Sequence, residues 1–391
     1  MFPDHLKNRD VVITGAGLAG SLLALRLKMR RPDLRLLLID RSSTGNLRKT
    51  WSCHASDLEE HEWACSLAEQ TWPGYEVQFP KYRRRLESAY VRLTPQRLEA
   101  KLRHELGDEV RFDCEVHQIN PTSVVLKDGT RIHADVVIDS TRSLRMSEAR
   151  GGFQKFAGCE LRFTKPHGLR EPILMDANVE QIDGFRFFYV LPLTDQNLLI
   201  EDTRFSQTAE FVPEAYFAEV LSYAHRSFGE RPEILKQEFG VLPLPFAFEP
   251  REESSAPSIG MAAGFFHVVT GYSVPMALDV ADAIADLPTI NEKTVRTCLR
   301  IELAKIDRER SYFHLLNKMM FRACEAPLRY RIFERFYSMT PSLIARFYKG
   351  HLSFTDKARI LIGRPPVPLL RALSALLRND SNREALCSLR S

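Results

Sequence analysis

The run Asp10-Val11-Val12-Ile13-Thr14 passes directly into Gly15-Ala16-Gly17-Leu18-Ala19-Gly20, and this junction constrains the fold more than any other stretch of the chain. A short β-rich segment, a Gly-x-Gly-x-x-Gly turn and the helical pattern Ser21 to Arg31 lead to a second apolar run, Arg35 to Ile39, which closes on Asp40. Gly15 permits the tight turn, Gly17 lets the backbone approach a pyrophosphate, and Gly20 lets the helix pack close to the strand. Amides at the helix start, Ala16, Leu18 and Ala19 among them, then face the phosphate with the positive end of the helix dipole behind them. Asp40 is placed to accept hydrogen bonds from ribose hydroxyls, which disfavours a 2′-phosphate.

FAD and NAD share this first signature, so later sequence has to choose between them. An NAD-dependent dehydrogenase would continue through further βα units. Here hairpin strands follow, with an Asp128-Gly129 turn, and then a β-rich segment from Gly151 to about Pro250 that carries one helix near Pro213 to Phe228. Ser258 to Ala263 reads as a strand, followed by Thr270-Gly271-Tyr272 and a helix from about Pro275 to Asp286. The start of that helix could face a flavin ring, and its dipole would favour the anionic reduced form. The pattern therefore predicts an α/β protein with a Rossmann-like FAD-binding lobe of the glutathione-reductase/hydroxylase type, residues 1–150 and 256–295. An α+β insertion, 151–255, would form the substrate lobe, and residues 296–391 a helical C-terminal region.

The 391 residues, 44% hydrophobic and 27% charged, suit a globular protein of two or three lobes rather than a disordered or multi-span one. No apolar stretch is long enough to cross a membrane, and charged residues stand where a signal peptide needs an apolar run. A cytoplasmic location is the expectation. The seven cysteines form no Cys-x-x-Cys pair, which predicts reduced, packed thiols and no metal site. The net charge of +4 is uneven: from Arg296 onward there are 19 Lys and Arg against 8 Asp and Glu. Such a surplus suits an anionic partner, and with no nucleic-acid motif present, a membrane surface is favoured over nucleic acid. The amphipathic run Leu369 to Arg378 fits peripheral docking, and it fits a solvated helical face equally well. The tripeptide Arg335-Phe336-Tyr337 recurs as Arg346-Phe347-Tyr348.

Gly184 to Leu193 is an aromatic strand carrying Phe185, Phe187, Phe188 and Tyr189, and Asn197 to Thr203 reads as its hairpin partner. Strand alternation puts Leu199, Glu201 and Thr203 on one face, with Ile200 and Asp202 on the other, so only one of the two carboxylates can face a given cavity. A glutamic acid among apolar and aromatic side chains loses solvation and stays protonated near neutral pH. Composition alone also allows a strand-end carboxylate in water.

Several segments together resemble the bacterial lycopene β-cyclase family. They are Gly15 to Gly20, Thr50-Trp51-Ser52-Cys53-His54, Phe79 to Arg85, Val137-Ile138-Asp139, His167-Gly168-Leu169 with Met175-Asp176-Ala177, Leu199-Ile200-Glu201-Asp202-Thr203, Phe266-His267 with Thr270-Gly271-Tyr272-Ser273, and Arg346-Phe347-Tyr348, in order along nearly the whole chain. The resemblance implies a reaction without net redox change on reduced FAD, with NADPH as the reductant and lycopene or a related acyclic carotenoid as substrate. It implies Glu201 as the acid, with Asp202 as a weaker candidate for orienting the site. Gly15 to Gly20, Asp40, Asp139, Gly271 and Tyr272 would contact the cofactor, and Phe185, Phe187, Phe188 and Tyr189 the cationic intermediate. It also implies a protein attached peripherally to the inner face of the cell membrane. Rival readings are an FAD-dependent isoprenoid reductase or monooxygenase, and a non-catalytic escort that binds isoprenoids.

Overall fold

A computed structural model describes residues 3–43, 49–142, 151–247 and 254–362. The chain opens with β1 (Asn8–Thr14), α1 (Leu18–Arg30), β2 (Leu36–Ile39), β3 (Trp51–His54), α2 (Ala55–Glu59) and β4 (Gln70–Trp72). It continues through β5 (Tyr75–Phe79), β6 (Tyr82–Leu86), β7 (Tyr90–Leu93), α3 (Pro95–Leu106) and β8 (Val110–Arg111). Next come β9 (Val116–Asn120), β10 (Ser123–Leu126), β11 (Arg131–Asp139), β12 (Gly151–Arg162), β13 (Ile173–Asp176), β14 (Phe185–Pro192) and β15 (Asn197–Ser206). Then α4 (Pro213–Phe228), β16 (Glu233–Pro245), α5 (Val274–Ala285), α6 (Glu292–Lys318), α7 (Tyr330–Tyr337), α8 (Pro341–Lys349) and α9 (Phe354–Leu361) complete the described chain.

Three sheets organise these elements. The first has the order β8-β2-β1-β11-β10-β9, with β1 parallel to both β2 and β11. Val11, Val12, Ile13 and Leu36 to Ile39 are all buried, as strands covered on both faces must be. Leu22, Leu23 and Leu27 of α1 share a core with Leu278, Ala281 and Ile284 of α5, so the late helix completes the lobe begun by the first forty residues. The expected strand at Ser258 to Ala263 is reduced to a single bridge, Ser258 to Asp139, followed by a 3-10 turn. Gly260 at φ +83° and Gly264 at φ +98° explain this, since a strand cannot run through left-handed residues.

The second sheet has the order β16-β12-β15-β14-β13-β5-β6. It is antiparallel except where β13 pairs with β5. The β5–β6 hairpin lies inside the 1–150 stretch expected to serve the nucleotide lobe, yet it forms the edge of the substrate-lobe sheet, so that boundary is corrected here. One face packs against α4 through Phe188, Val190, Ile200, Val220 and Tyr223. The other face looks toward β3, the start of α5 and the C-terminal helices. A short third sheet, β3-β7-β4, bridges the two lobes.

The C-terminal helices are tied down by guanidinium groups, one buried and one half-buried. Arg329, 1% exposed, donates to the carbonyls of Met320 and Phe321 in the π-helical turn after α6 and to that of Phe205 on β15. Arg84 on β6 donates to the carbonyls of Tyr337 and Met339 at the end of α7. No helix among the described residues is long and apolar enough to cross a membrane. The Leu369 to Arg378 segment lies outside the described residues.

Candidate active site

A cavity of about 280 Å³ lies between the second sheet, the β3 segment, the start of α5 and the helices α7 and α8. Leu199, Glu201, Thr203 and Phe205 of β15 face it, as strand alternation requires. Glu201 is in register with Gly158 on β12 and with Tyr189 on β14, and Gly158 is in register with Glu238 on β16. One row across four strands therefore reads Glu238, Gly158, Glu201, Tyr189. A Cβ atom at Gly158 would lie 2.4 Å from Cγ of Glu201. Because the glycine leaves that space open, the two carboxyl groups meet over it and share a hydrogen bond. Burial first, then the charge of Glu238 and this hydrogen bond, push the Glu201 carboxyl well above the usual carboxylate range.

The β3 segment fixes this row from above. The Thr50 amide donates to Oε2 of Glu238 at 3.0 Å, and the Tyr189 hydroxyl donates to Oγ of Ser52 at 2.8 Å. The Thr-Trp-Ser-Cys-His motif thus acts through a backbone amide and a hydroxyl.

Aromatic side chains form the remaining wall. Tyr90, Phe187, Tyr189, Tyr272, Tyr337 and Tyr348 all line the cavity. Burial raises all five tyrosines, so their hydroxyls stay neutral, Tyr348 being lifted to about 12. The His54 ring sits among them, with centroids 5.3 Å from Tyr348, 5.6 Å from Tyr90 and 5.7 Å from Tyr75. Burial lowers His54 to about 4, which leaves it uncharged at neutral pH. The tyrosines of the recurring Arg-Phe-Tyr tripeptide meet here, their hydroxyls 2.6 Å apart. Behind Tyr272, whose hydroxyl donates to Asp57, burial lifts that carboxyl to about 6 against the pull of this bond and of Lys349.

Not every expected residue reaches the cavity. Asp202 points to the opposite face, fully buried, where Arg186 and Arg204 clamp it at 2.8 and 2.7 Å. It is a structural ion pair, and its expected place in the reaction is corrected. Phe188 also faces away and stacks on Tyr223 of α4 with centroids 4.1 Å apart. Phe185 lies on the cavity face but behind it, stacked on Phe333 at 4.3 Å. Phe187 and Tyr189 are the two of that group that line the space.

The nucleotide motif has the geometry of a cradle. Gly15 has φ +94°, and a Cβ at Gly20 would strike the Gly15 carbonyl oxygen at 1.9 Å. A Cβ at Gly17 would meet nothing within 4 Å, so open space lies before the start of α1, where Leu18 and Ala19 present free first-turn amides. Asp40 accepts from the amides of Ala16 at 2.6 Å and Ser42 at 2.9 Å, which holds its carboxylate beside the turn. The Asp139 carboxylate is occupied by Thr14 at 3.3 Å and by the amide and hydroxyl of Thr141 at 2.8 and 2.7 Å. Its visible task is therefore to brace the glycine turn. Gly271 has φ +70°, and Gly271, Tyr272 and the start of α5 border the cavity, so the cofactor lobe and the acid share one space.

A protein-family model described as "Lycopene cyclase protein" matches residues 10–374. The chain belongs to the lycopene cyclase family. It is 41% identical to a lycopene beta-cyclase of Pseudescherichia vulneris, over 96% of this chain and 99% of that one. Identity with a lycopene beta-cyclase of Pantoea ananas is 40%, over 94% and 98% of the two chains. Among solved structures, a geranylgeranyl bacteriochlorophyll reductase-like protein from Thermoplasma acidophilum aligns with TM-score 0.63 at 14% identity, covering 95% of this chain and 98% of its own. The flavin-dependent brominase Bmp2 aligns with TM-score 0.61 at 15% identity, covering 90% and 97%. At that identity these two likenesses describe the fold alone.

Within this lycopene cyclase fold, several site residues could not be reached from the sequence. Glu238 belongs to a strand 80 residues from Gly158 in the chain, and only the register brings it to Glu201. His54, Asp57 and Tyr90 come from elements whose packing the sequence does not state. Tyr337 and Tyr348 had a visible signal in the repeated tripeptide, whose second copy also belongs to the family resemblance.

Proposed function

We propose that this chain is a lycopene β-cyclase that closes the acyclic ends of lycopene to β-ionone rings, through γ-carotene to β-carotene, without net redox change. The observation that carries the reading is Glu201, hydrogen-bonded to Glu238 and with its carboxyl pushed well above the usual carboxylate range, at the base of an aromatic cavity that opens onto the nucleotide lobe. Glu201 donates its proton to the terminal double bond of the end group. The tertiary carbocation so formed is attacked by the neighbouring internal double bond, and the ring closes. Loss of a ring proton then restores neutrality. Tyr90, Phe187, Tyr189, Tyr272, Tyr337 and Tyr348 present π faces to the cation, worth about 0.5–2 kcal/mol each where water is excluded. His54, uncharged, adds bulk to that wall without adding a competing positive charge.

Gly15 to Gly20, Asp40 and the Gly271-Tyr272 turn would hold FAD. When reduced, that group supplies negative charge beside the developing cation. NADPH is the reductant we expect, because a cyclase needs its flavin reduced without consuming hydride in each turnover. A hydrocarbon substrate resides in the bilayer, so peripheral attachment to the inner face of the cell membrane belongs to the same proposal. In its support, α9 and the residue after it expose Phe354 (85%) and Ile362 (72%) near Lys357 and Arg359. Flotation with anionic vesicles should weaken in a Phe354→Ser/Ile362→Ser double variant, and unchanged flotation would remove this support.

The direct test of function is pigment analysis of lycopene-producing cells that express the chain or its Glu201→Gln variant. The native chain is expected to yield γ- and β-carotene, and the variant to leave lycopene. Persistent lycopene with the native chain would reject the function, and undiminished cyclisation by the variant would reject the acid.

A further inference from the structure

The acid of this site is not a single carboxyl group. Glu201 and Glu238 approach from two strands that are not neighbours, β15 and β16, each paired to β12 at the same residue, Gly158. Any side chain at Gly158 would separate them, since even a Cβ would fall 2.4 Å from Cγ of Glu201 and 3.3 Å from its carboxyl carbon. Glu238 is 3% exposed, does not line the cavity, and is held by the Thr50 amide at 3.0 Å. Among the described residues, neither carboxyl has a basic partner at ion-pair distance, in contrast to Asp202 one residue along β15. Two carboxylates in contact in a dry site cannot both ionise without a large repulsive cost, so such a pair retains one proton.

We infer that Glu238 is a positioning residue for the cyclisation: it holds the reactive proton on Glu201, aims that side chain at the cavity, and by its charge favours return of the ring proton to Glu201 at the end of each ring closure. This inference rests on the proposed function and extends it to a group that never touches the substrate. The proton balance is simple. The O–H bond of Glu201 breaks as a C–H bond forms at the terminal carbon. After ring closure a ring C–H bond breaks, and its proton returns to a Glu201 carboxylate oxygen. Glu238 keeps its charge throughout. That charge makes Glu201 a weaker acid in isolation, yet the proton moves only to a carbon in the adjoining cavity, so the same charge also attracts the cation. The intermediate state, two carboxylates beside one cation, favours proton return over escape of the cation to side products.

The other titratable groups facing the cavity are Lys49 and His54 from the β3 segment, Tyr90 of β7, Tyr189 of β14, Tyr272 before α5, and Tyr337 and Tyr348 of the C-terminal helices. Burial has placed His54 near 4 and moved the tyrosines upward, so the carboxyl pair is the group expected to set the alkaline limb of the pH profile. The experiment measures kcat/KM against pH for the flavin-loaded enzyme and its Glu238→Gln variant. Removing the like charge should lower the alkaline limb by about one pH unit or more and reduce kcat about tenfold at neutral pH, with KM little changed. An alkaline limb in the same place, with any uniform loss of kcat, would overturn the inference, because a merely structural glutamate would behave that way. If the amide variant folds poorly, Glu238→Met removes the charge at similar size, and the same shift or its absence decides. Infrared difference spectra of substrate-free protein give a readout independent of turnover: the protonated carboxyl band assigned by Glu201→Gln should shift or vanish in Glu238→Gln. An unmoved band would also overturn the inference. A native chain that leaves lycopene unchanged yet shows this band shift would instead reject the function while keeping the pair.

Discussion

The two faces of β15 carry adjacent carboxyl groups with opposite surroundings. Glu201 faces aromatic rings and a second carboxyl group, whereas Asp202 faces Arg186 and Arg204 on the α4 side. Glu201 is half-buried on the cavity and Asp202 is fully buried, and the two are separated by one peptide bond. What differs is the company each keeps. A buried acid among rings and another acid holds its proton, and a buried acid between two guanidinium groups supplies the counter-charge they need. The pleat thus builds a reactive face and a structural face from one five-residue segment, Leu199 to Thr203.

The largest effects should come from exchanging the two acids for amides. Glu201→Gln is expected to lower turnover by about 10²–10⁴-fold, the usual contribution of a general acid, while unfolding midpoints stay level or rise because a buried acid-acid contact is removed. Asp202→Asn should do the reverse. It leaves Arg204 without its counter-charge and Arg186 with Glu219 alone, costs about 3–5 kcal/mol in urea unfolding, and spares the turnover of the protein that remains folded. A variant pair in which both changes hit turnover equally would erase the distinction between the faces.

A smaller effect follows from proton linkage. The folded-state Glu201 carboxyl is raised above its unfolded value of 4.5, so above that pH the native state binds the extra proton. Native stability then falls as pH rises through this window, by up to about 1.4 kcal/mol per pH unit from this one group. Glu201→Gln should flatten that decline, so the variant gains on the native chain as pH increases from 5 to 8 in urea titrations. Parallel curves would show that the acid is not kept protonated by folding.

The smallest effect tests the aromatic neighbours. Phe187→Leu should reduce turnover by the loss of about 0.5–2 kcal/mol of cation stabilisation. Phe188→Leu, which disrupts the stack on Tyr223, should be visible in thermal stability and not in turnover. Equal kinetic effects at the two positions would contradict the assignment of faces.

What was legible in the sequence was local. The glycine turn and Asp40 could be read because strand, turn, helix and acid follow one another within forty residues, and the structure places the Asp40 carboxylate 2.6 Å from the Ala16 amide. That Glu201 and Asp202 face opposite ways was equally local, since period-two alternation needs only five residues, whereas the choice of Glu201 as the acid came from the family resemblance. The fold class followed from the order of such segments. Glu238 was not legible, because nothing in the sequence fixes the register of β16 on β12 or shows that Gly158 is the gap between two acids. Phe188 was expected beside the cation with Phe185, Phe187 and Tyr189, although the alternation used for β15 applies to β14 as well and turns it to the other face. Ser258 to Ala263 looked like a strand until Gly260 and Gly264 turned left-handed. The membrane-facing role assigned to the basic C-terminus depends in part on Leu369 to Arg378, outside the described residues.

The proposed cyclisation starts from a hydrogen atom on one carboxyl group at neutral pH, and infrared spectroscopy can look for it. In protein held near pH 7 without substrate, the carbonyl stretch of an un-ionised carboxylic acid should be present, move to lower frequency in deuterium oxide, and disappear in Glu201→Gln while surviving in Asp202→Asn. A spectrum with only carboxylate bands at that pH, or an acid band untouched by Glu201→Gln, would contradict the account.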